Sequence, residues 1–168
     1  YSVTLSKYED GILTELTDPI KFNCKLLDQS SIPTDMSANV AFYKQVTEIR
    51  KAVSATNDLM NMLDARIRNI NLAVQDMPAP AKPILEKSFA ITRQLHDLKI
   101  KMNGDVSKAR RNFETLPSIN ERVSTIEGSV WSSTAPIPTT FKDSYSVAAK
   151  QFTLALDDLK KIYAAIEQ

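Results

Sequence analysis

The sequence predicts a mainly α chain: an antiparallel bundle of three long helices and one short one, preceded by a short β-hairpin or strand segment. Three observations carry this expectation. Apolar residues step by four and three through long intervals free of Pro and Gly, the mark of a helix with one buried seam. Glycine is scarce, three in 168 residues against eight prolines, where average usage gives about a dozen glycines. That scarcity argues against a turn-rich all-β fold and against a Gly-rich phosphate loop. Residues 1–27, by contrast, alternate, as half-buried strands do.

In the N-terminal segment Tyr1, Val3 and Leu5 share one face, and Ile20, Phe22, Cys24 and Leu26 repeat the pattern. Glu9-Asp10-Gly11 is a turn, and Pro19 ends the stretch from Ile12 to Thr17. So few strands do not form a stable sheet alone. Residues 1–30 are therefore expected to be an edge or remnant of a larger β module, with the bundle over 34–168. The chain also opens at Tyr1 without an initiator Met, and we read it as part of something longer.

Thr34 or Asp35, after Pro33, is the expected N-cap of the first helix. Its seam runs Phe42, Val46, Ile49, Val53, Thr56, Met60, Leu63, Ile67, Ile70 and Val74 before Met77-Pro78-Ala79-Pro80 stops it. The second helix carries Ile84, Ser88, Ile91, Leu95, Leu98 and Met102 and ends at Asn103-Gly104. A polar connector, Asp105 to Thr115, follows. Ser118 and Glu121 then have the spacing of a capping box. The short helix presents Ile119, Val123, Ile126 and Val130, and Gly128 within it is expected to mark a close backbone approach or early fraying. After Pro136 and Pro138 the last helix steps through Phe141, Tyr145, Ala148, Phe152, Ala155, Leu159, Ile162 and Ile166. Asp64 with Arg68 and Asp157 with Lys161 are expected i,i+4 ion pairs. The first helix is far longer than the second, so its surplus must pack on the short helix, the strands or another molecule.

Little chemistry is visible. A net charge of +1 argues against a general nucleic-acid clamp, and no apolar run is long enough to span a membrane. His96 and Cys24 are each unique, which excludes an internal disulfide and a Cys₂His₂ zinc site. His96 reads as a surface residue and Cys24 as a buried, inert thiol on the strand face. Neither phosphate-loop nor dinucleotide, zinc-protease or nucleophile-elbow motifs occur. No catalytic residue, cofactor or metal is expected. Lys108, Arg110 and Arg111, with Lys99 and Lys101 near in sequence, form the one basic cluster. Internal ion pairing is favoured for it over an acidic partner or anionic polymer, because Glu114 and Glu121 are close. Trp131 reads as a plug at the end of the core, with sugar stacking the alternative.

At Ala109-Arg110-Arg111-Asn112, Pro117-Ser118-Ile119-Asn120-Glu121-Arg122-Val123 and Gly128-Ser129-Val130-Trp131-Ser132-Ser133-Thr134, the chain resembles the C-terminal region of bacterial sortilin-type, BNR-repeat β-propeller proteins, often labelled glycosyl hydrolases. Tyr1-Ser2-Val3-Thr4-Leu5 and Ile20-Lys21-Phe22-Asn23-Cys24 resemble the strands that join propeller to helices in that family. The resemblance implies a non-catalytic C-terminal module of an exported protein. Its partner would be the parent's own propeller, or a second copy through the helix seams. The alternative is an accessory role in a carbohydrate-active site, with Trp131, Arg110 and Arg111 facing the substrate.

Overall fold

The computed structural model describes residues 1–25, 33–75, 77, 81–130 and 133–167, in two units, Tyr1–Pro33 and Thr34–Gln168. In the first unit the alternating residues pair as strands β1 (Ser2–Val3), β2 (Ser6–Glu9), β3 (Ile12–Glu15) and β4 (Ile20–Lys21). β2 and β3 meet through Asp10 and Gly11, whose φ values of 52° and 80° are the positive pair that a tight hairpin turn requires. Gly11 enters that region without a Cβ penalty. The ladders hold Tyr8 opposite Leu13 and Val3 opposite Ile20. Between them three positions separate Val3 from Ser6 but five separate Glu15 from Ile20, so the returning strand absorbs two extra residues near Pro19. The expected half-burial does not occur. Every strand residue is exposed, because a two-stranded sheet has no second layer over it. Cys24 is likewise exposed, not buried, and Leu26 lies outside the described residues.

In the second unit the long seams fold as predicted, into α1 (Met36–Gln75), α2 (Ala81–Asn103), α4 (Ile119–Val130) and α5 (Thr139–Glu167). A further turn of helix, α3 (Val106–Ala109), lies within the polar connector. Asp35 is the N-cap of α1: its Oδ1 accepts from the amides of Ser37 and Ala38 at 2.9 and 3.1 Å. The Pro78-Ala79-Pro80 stop lies outside the described residues.

The bundle has three rods. α1, at 40 residues, is about 60 Å long. Alongside it run α2 and then α4, both antiparallel to α1. Ser88 and Asn103 of α2 reach Asn71 and Asn57 on the C-terminal half of α1. Asn120 and Glu127 of α4 reach Arg50 on its N-terminal half, at 2.6 and 3.2 Å. The surplus of α1 is thus covered by the short helix. The third rod is α5, parallel to α1: Phe42 meets the ring of Tyr145 edge-on at 5.5 Å, and Arg66 pairs with Glu167.

A single core threads these rods. Val53, Met60 and Leu63 of α1, Leu95, Leu98 and Met102 of α2, Val123 and Ile126 of α4, and Ala155 and Leu159 of α5 are almost wholly buried. Each large side chain buried contributes roughly 1.5–3 kcal/mol before its ordering entropy is subtracted. Polar contacts set the register along the rods. Asn39, 4% exposed, donates to the carbonyl of Ala135 at 3.0 Å, and the hydroxyl of the buried Ser88 donates to Asn71 at 2.5 Å.

Two local expectations are corrected. Gly128 is neither a close approach nor a frayed end. The helix continues to Val130, and a Cβ at Gly128 would meet nothing within 4 Å. Asp157 pairs with Lys160 at 3.2 Å instead of Lys161, because Lys161 turns to Asp158, which also gathers Lys101 from α2. Asp64 does pair with Arg68, at 2.8 Å, and with Lys99 at 3.1 Å.

Urea denaturation should therefore report a loss of about 2–5 kcal/mol for Leu63→Ala. The same change at the exposed Leu72 should stay within about 0.5 kcal/mol. Gly128→Ala should add about 0.5–1 kcal/mol, since it removes chain entropy from a helix interior with open space around it. A loss of stability for Gly128→Ala would contradict this packing.

Candidate functional site

The middle rod is broken where α2 ends and α4 begins, and the break is the most distinctive place on the bundle. Asn103 ends α2, and Gly104, at φ 86°, turns the chain out while its amide still bonds to the carbonyl of Ile100 at 2.8 Å. The chain returns at Ser118. The two ends are adjacent: a Cβ on Gly104 would lie 3.8 Å from the Cβ of Ser118. The return is fixed by the predicted capping box. The amide of Ser118 donates to Glu121 at 2.7 Å, and the amide of Glu121 donates to the Ser118 hydroxyl at 3.2 Å. Residues 104–118 thus form a loop closed at its base, an Ω-type excursion from the waist of the bundle.

Within the loop, Asp105 caps α3. Its Oδ1 accepts from the amide and hydroxyl of Ser107 at 2.9 and 2.6 Å and from the amide of Lys108 at 3.3 Å. The Ser107 hydroxyl bond, followed by the Lys108 amide, holds the Asp105 carboxyl below its ordinary value. Asn112 takes a φ of 55° and reverses the chain, and the amide of Phe113 bonds back to the carbonyl of Lys108 at 3.1 Å. The loop is therefore shaped by its own hydrogen bonds. It presents Val106, Phe113 and Leu116 at 60%, 61% and 87% exposure.

Arg110 and Arg111 lie on this loop, exposed, with Lys108. The expected internal ion pairing does not hold for them: among the described residues no carboxylate lies within salt-bridge distance of any of the three. Of the two acids expected to meet them, Glu121 is spent on the Ser118 cap and Glu114 forms none of the ion pairs among the described residues. Lys99 and Lys101 are not part of a free cluster either, since Asp64 and Asp158 neutralise them at 3.1 and 2.9 Å. Trp131 lies outside the described residues.

At the base of the loop a groove of about 380 Å³ opens between the broken rod and α5. Ile100, Leu116 and Ile119 form one side, and Leu154 and Ala155 the other. Sequence reasoning missed it. The available signal was Leu154, an apolar residue off the 4–3 seam of α5 that is 67% exposed. A second apolar groove, of about 400 Å³, lies where α5 stops, among Ile67, Ile70, Ile84, Ile91 and Ile166.

The polar side chains at the grooves are Lys101, Ser118 and Gln151 at the first and Lys87 and Ser88 at the second. His96 is exposed on α2, and among the described residues no three His, Cys, Asp or Glu side chains could share a metal ion. A charged concavity between α2 and α5 contains Asp97, Lys101, Asp158 and Lys161. There the hydrogen bond from Lys101, aided by the charges of Lys101 and Lys161, holds the Asp158 carboxyl below its ordinary value, burial opposing. Paired in this way, it is a strut between helices. Among the described residues no helix is long and apolar enough to cross a membrane.

No protein-family model, curated protein or solved structure matches the chain.

The lowered acidity of Asp158 has a definite sign. A carboxyl whose folded pKa lies below its unfolded value stabilises fully above the ordinary 3.8 and loses that contribution as pH falls through the folded value. The difference in Tm between the protein and Asp158→Asn should accordingly be largest near about pH 7 and vanish near about pH 2. Thermal melts across that range check it; a pH-independent difference would show that the Lys101 contact contributes no linkage.

Proposed function

We propose that the chain is a non-catalytic structural and interaction module, in which a rigid helical bundle is attached to a host through an N-terminal hairpin that extends a β structure. One observation carries the reading: the apolar residues of the hairpin are uncovered. Tyr1 stacks on Phe22 at a ring distance of 5.8 Å, next to the cross-strand pair Val3 and Ile20, and all four are 46–83% exposed. An isolated two-stranded ribbon is at best marginally stable in water, and an apolar strand face with free edges is a template for further β structure. The bundle, by contrast, buries its own seams.

The resemblance to the C-terminal region of bacterial BNR-repeat propeller proteins supplies a host of the right kind, a β protein whose last strands would run into this hairpin. An exported location goes with that host. In this reading the propeller performs any carbohydrate chemistry, and the bundle braces it or presents a surface to a partner. Self-association through the helix seams is the other partnership this reading allows.

Hydrogen exchange tests the proposal. In the chain alone, amides of β1–β4 should exchange almost as fast as unfolded peptide, while those around Leu63 and Leu98 are protected. Fused to a propeller of the resembled family, the hairpin amides should slow by at least about tenfold. Unchanged exchange in the fusion would refute attachment through the hairpin.

A further inference from the structure

We infer that the waist groove is a docking site for an acidic amphipathic helix of a protein partner. The inference is independent of the hairpin's role. It rests on two kinds of surface placed in one short stretch of chain. The first is apolar. Leu116 from the loop and Leu154 from α5, both exposed, line the groove, and Val106 and Phe113 are exposed on the same loop as Leu116. Ile84, 41% exposed, borders the second groove, whereas Met62, Leu72 and Phe89 line neither groove. Single exposed apolar side chains are ordinary; grouped ones beside a concavity mark a contact surface. At about 380 Å³ the groove falls at the small end of the range for ligand sites, which suits one or two anchoring side chains of a partner.

The second kind of surface is charge. Lys108, Arg110 and Arg111 follow one another within a single turn of chain and are exposed, and no described carboxylate pairs with them. Of the loop's two acids, Asp105 is committed to the amides of α3, which leaves Glu114 as the opposing charge. The cations are thus available to carboxylates from outside, and the two arginines can take them in bidentate fashion.

The combination selects the partner. A nucleic acid would use the cations but has no use for Leu116 and Leu154, and three cations on a chain of net charge +1 make a weak phosphate track. A strand has no free sheet edge to join at the waist, where the walls are helices and a loop. A helix can lay apolar side chains spaced at i, i+3 and i+7 into such a groove while its acidic flank faces the loop.

The test uses the full chain and four fluorescent probes of roughly 14 residues each. One is a helical peptide with three leucines at that spacing and glutamates elsewhere. The others are the same leucines among lysines, the same glutamates without leucine, and a single-stranded oligonucleotide. Fluorescence anisotropy should show saturable binding of the first probe only. The double variant Arg110→Glu/Arg111→Glu and the variant Leu154→Ser should each weaken it at least tenfold. Both alter exposed side chains, so an unchanged helical circular dichroism melt controls for folding. No binding of the first probe below about 1 mM would overturn the proposal. So would equal binding of the lysine or leucine-free peptide, or tighter binding of the oligonucleotide. Wild-type affinity in both variants would place any binding elsewhere and overturn it too.

Discussion

The bundle depends on the uninterrupted apolar seam of α1. A helix of 40 residues in water is stable only if its stripe is covered along its length. α2 is too short to do this, so the chain must supply a second antiparallel piece, and α4 is that piece. The break between them is therefore a consequence of the length of α1, and the loop at the waist is a consequence of the break. α5 closes the remaining side, and its contacts at Tyr145 and Glu167 tie it to both halves of α1.

Much of this is legible in the sequence because it follows from periodicity and from stop signals. The 4–3 stepping names the buried residues of all four main helices almost position by position. Ser118 and Glu121 announce the start of α4 in two letters, and Gly104 the end of α2. What periodicity does not provide is the environment of residues outside a seam. Alternation in residues 1–27 identifies strands and the turn at Gly11, yet it carries the assumption of a covering layer, which two strands cannot supply to themselves. Cys24 was assigned to that missing interior and is exposed for the same reason.

The candidate site was less legible. Arg110 and Arg111 stand out as a basic pair, but proximity in sequence to Glu114 and Glu121 says nothing about which acid is free. Glu121 is turned back onto the amide of Ser118, and the lysines nearest in sequence are claimed by Asp64 and Asp158 on other helices. Three residues of one apparent cluster thus remain available while two do not, a partition that tertiary packing alone makes. The groove itself joins Leu116 to Leu154, residues far apart in the chain, and Leu154 is inconspicuous unless one asks why an apolar residue breaks the polar face of α5.

The base of the waist loop has a further consequence. Because Gly104 and Ser118 are neighbours, the chain leaves the bundle and re-enters it at one point, and neither rod is strained by what lies between. Length and composition of the excursion can drift without re-registering the core, while the capping box keeps α4 anchored. The composition of the loop and the packing of the core are thereby uncoupled. A dozen or so residues at the surface can thus be rewritten while the scaffold stays the same.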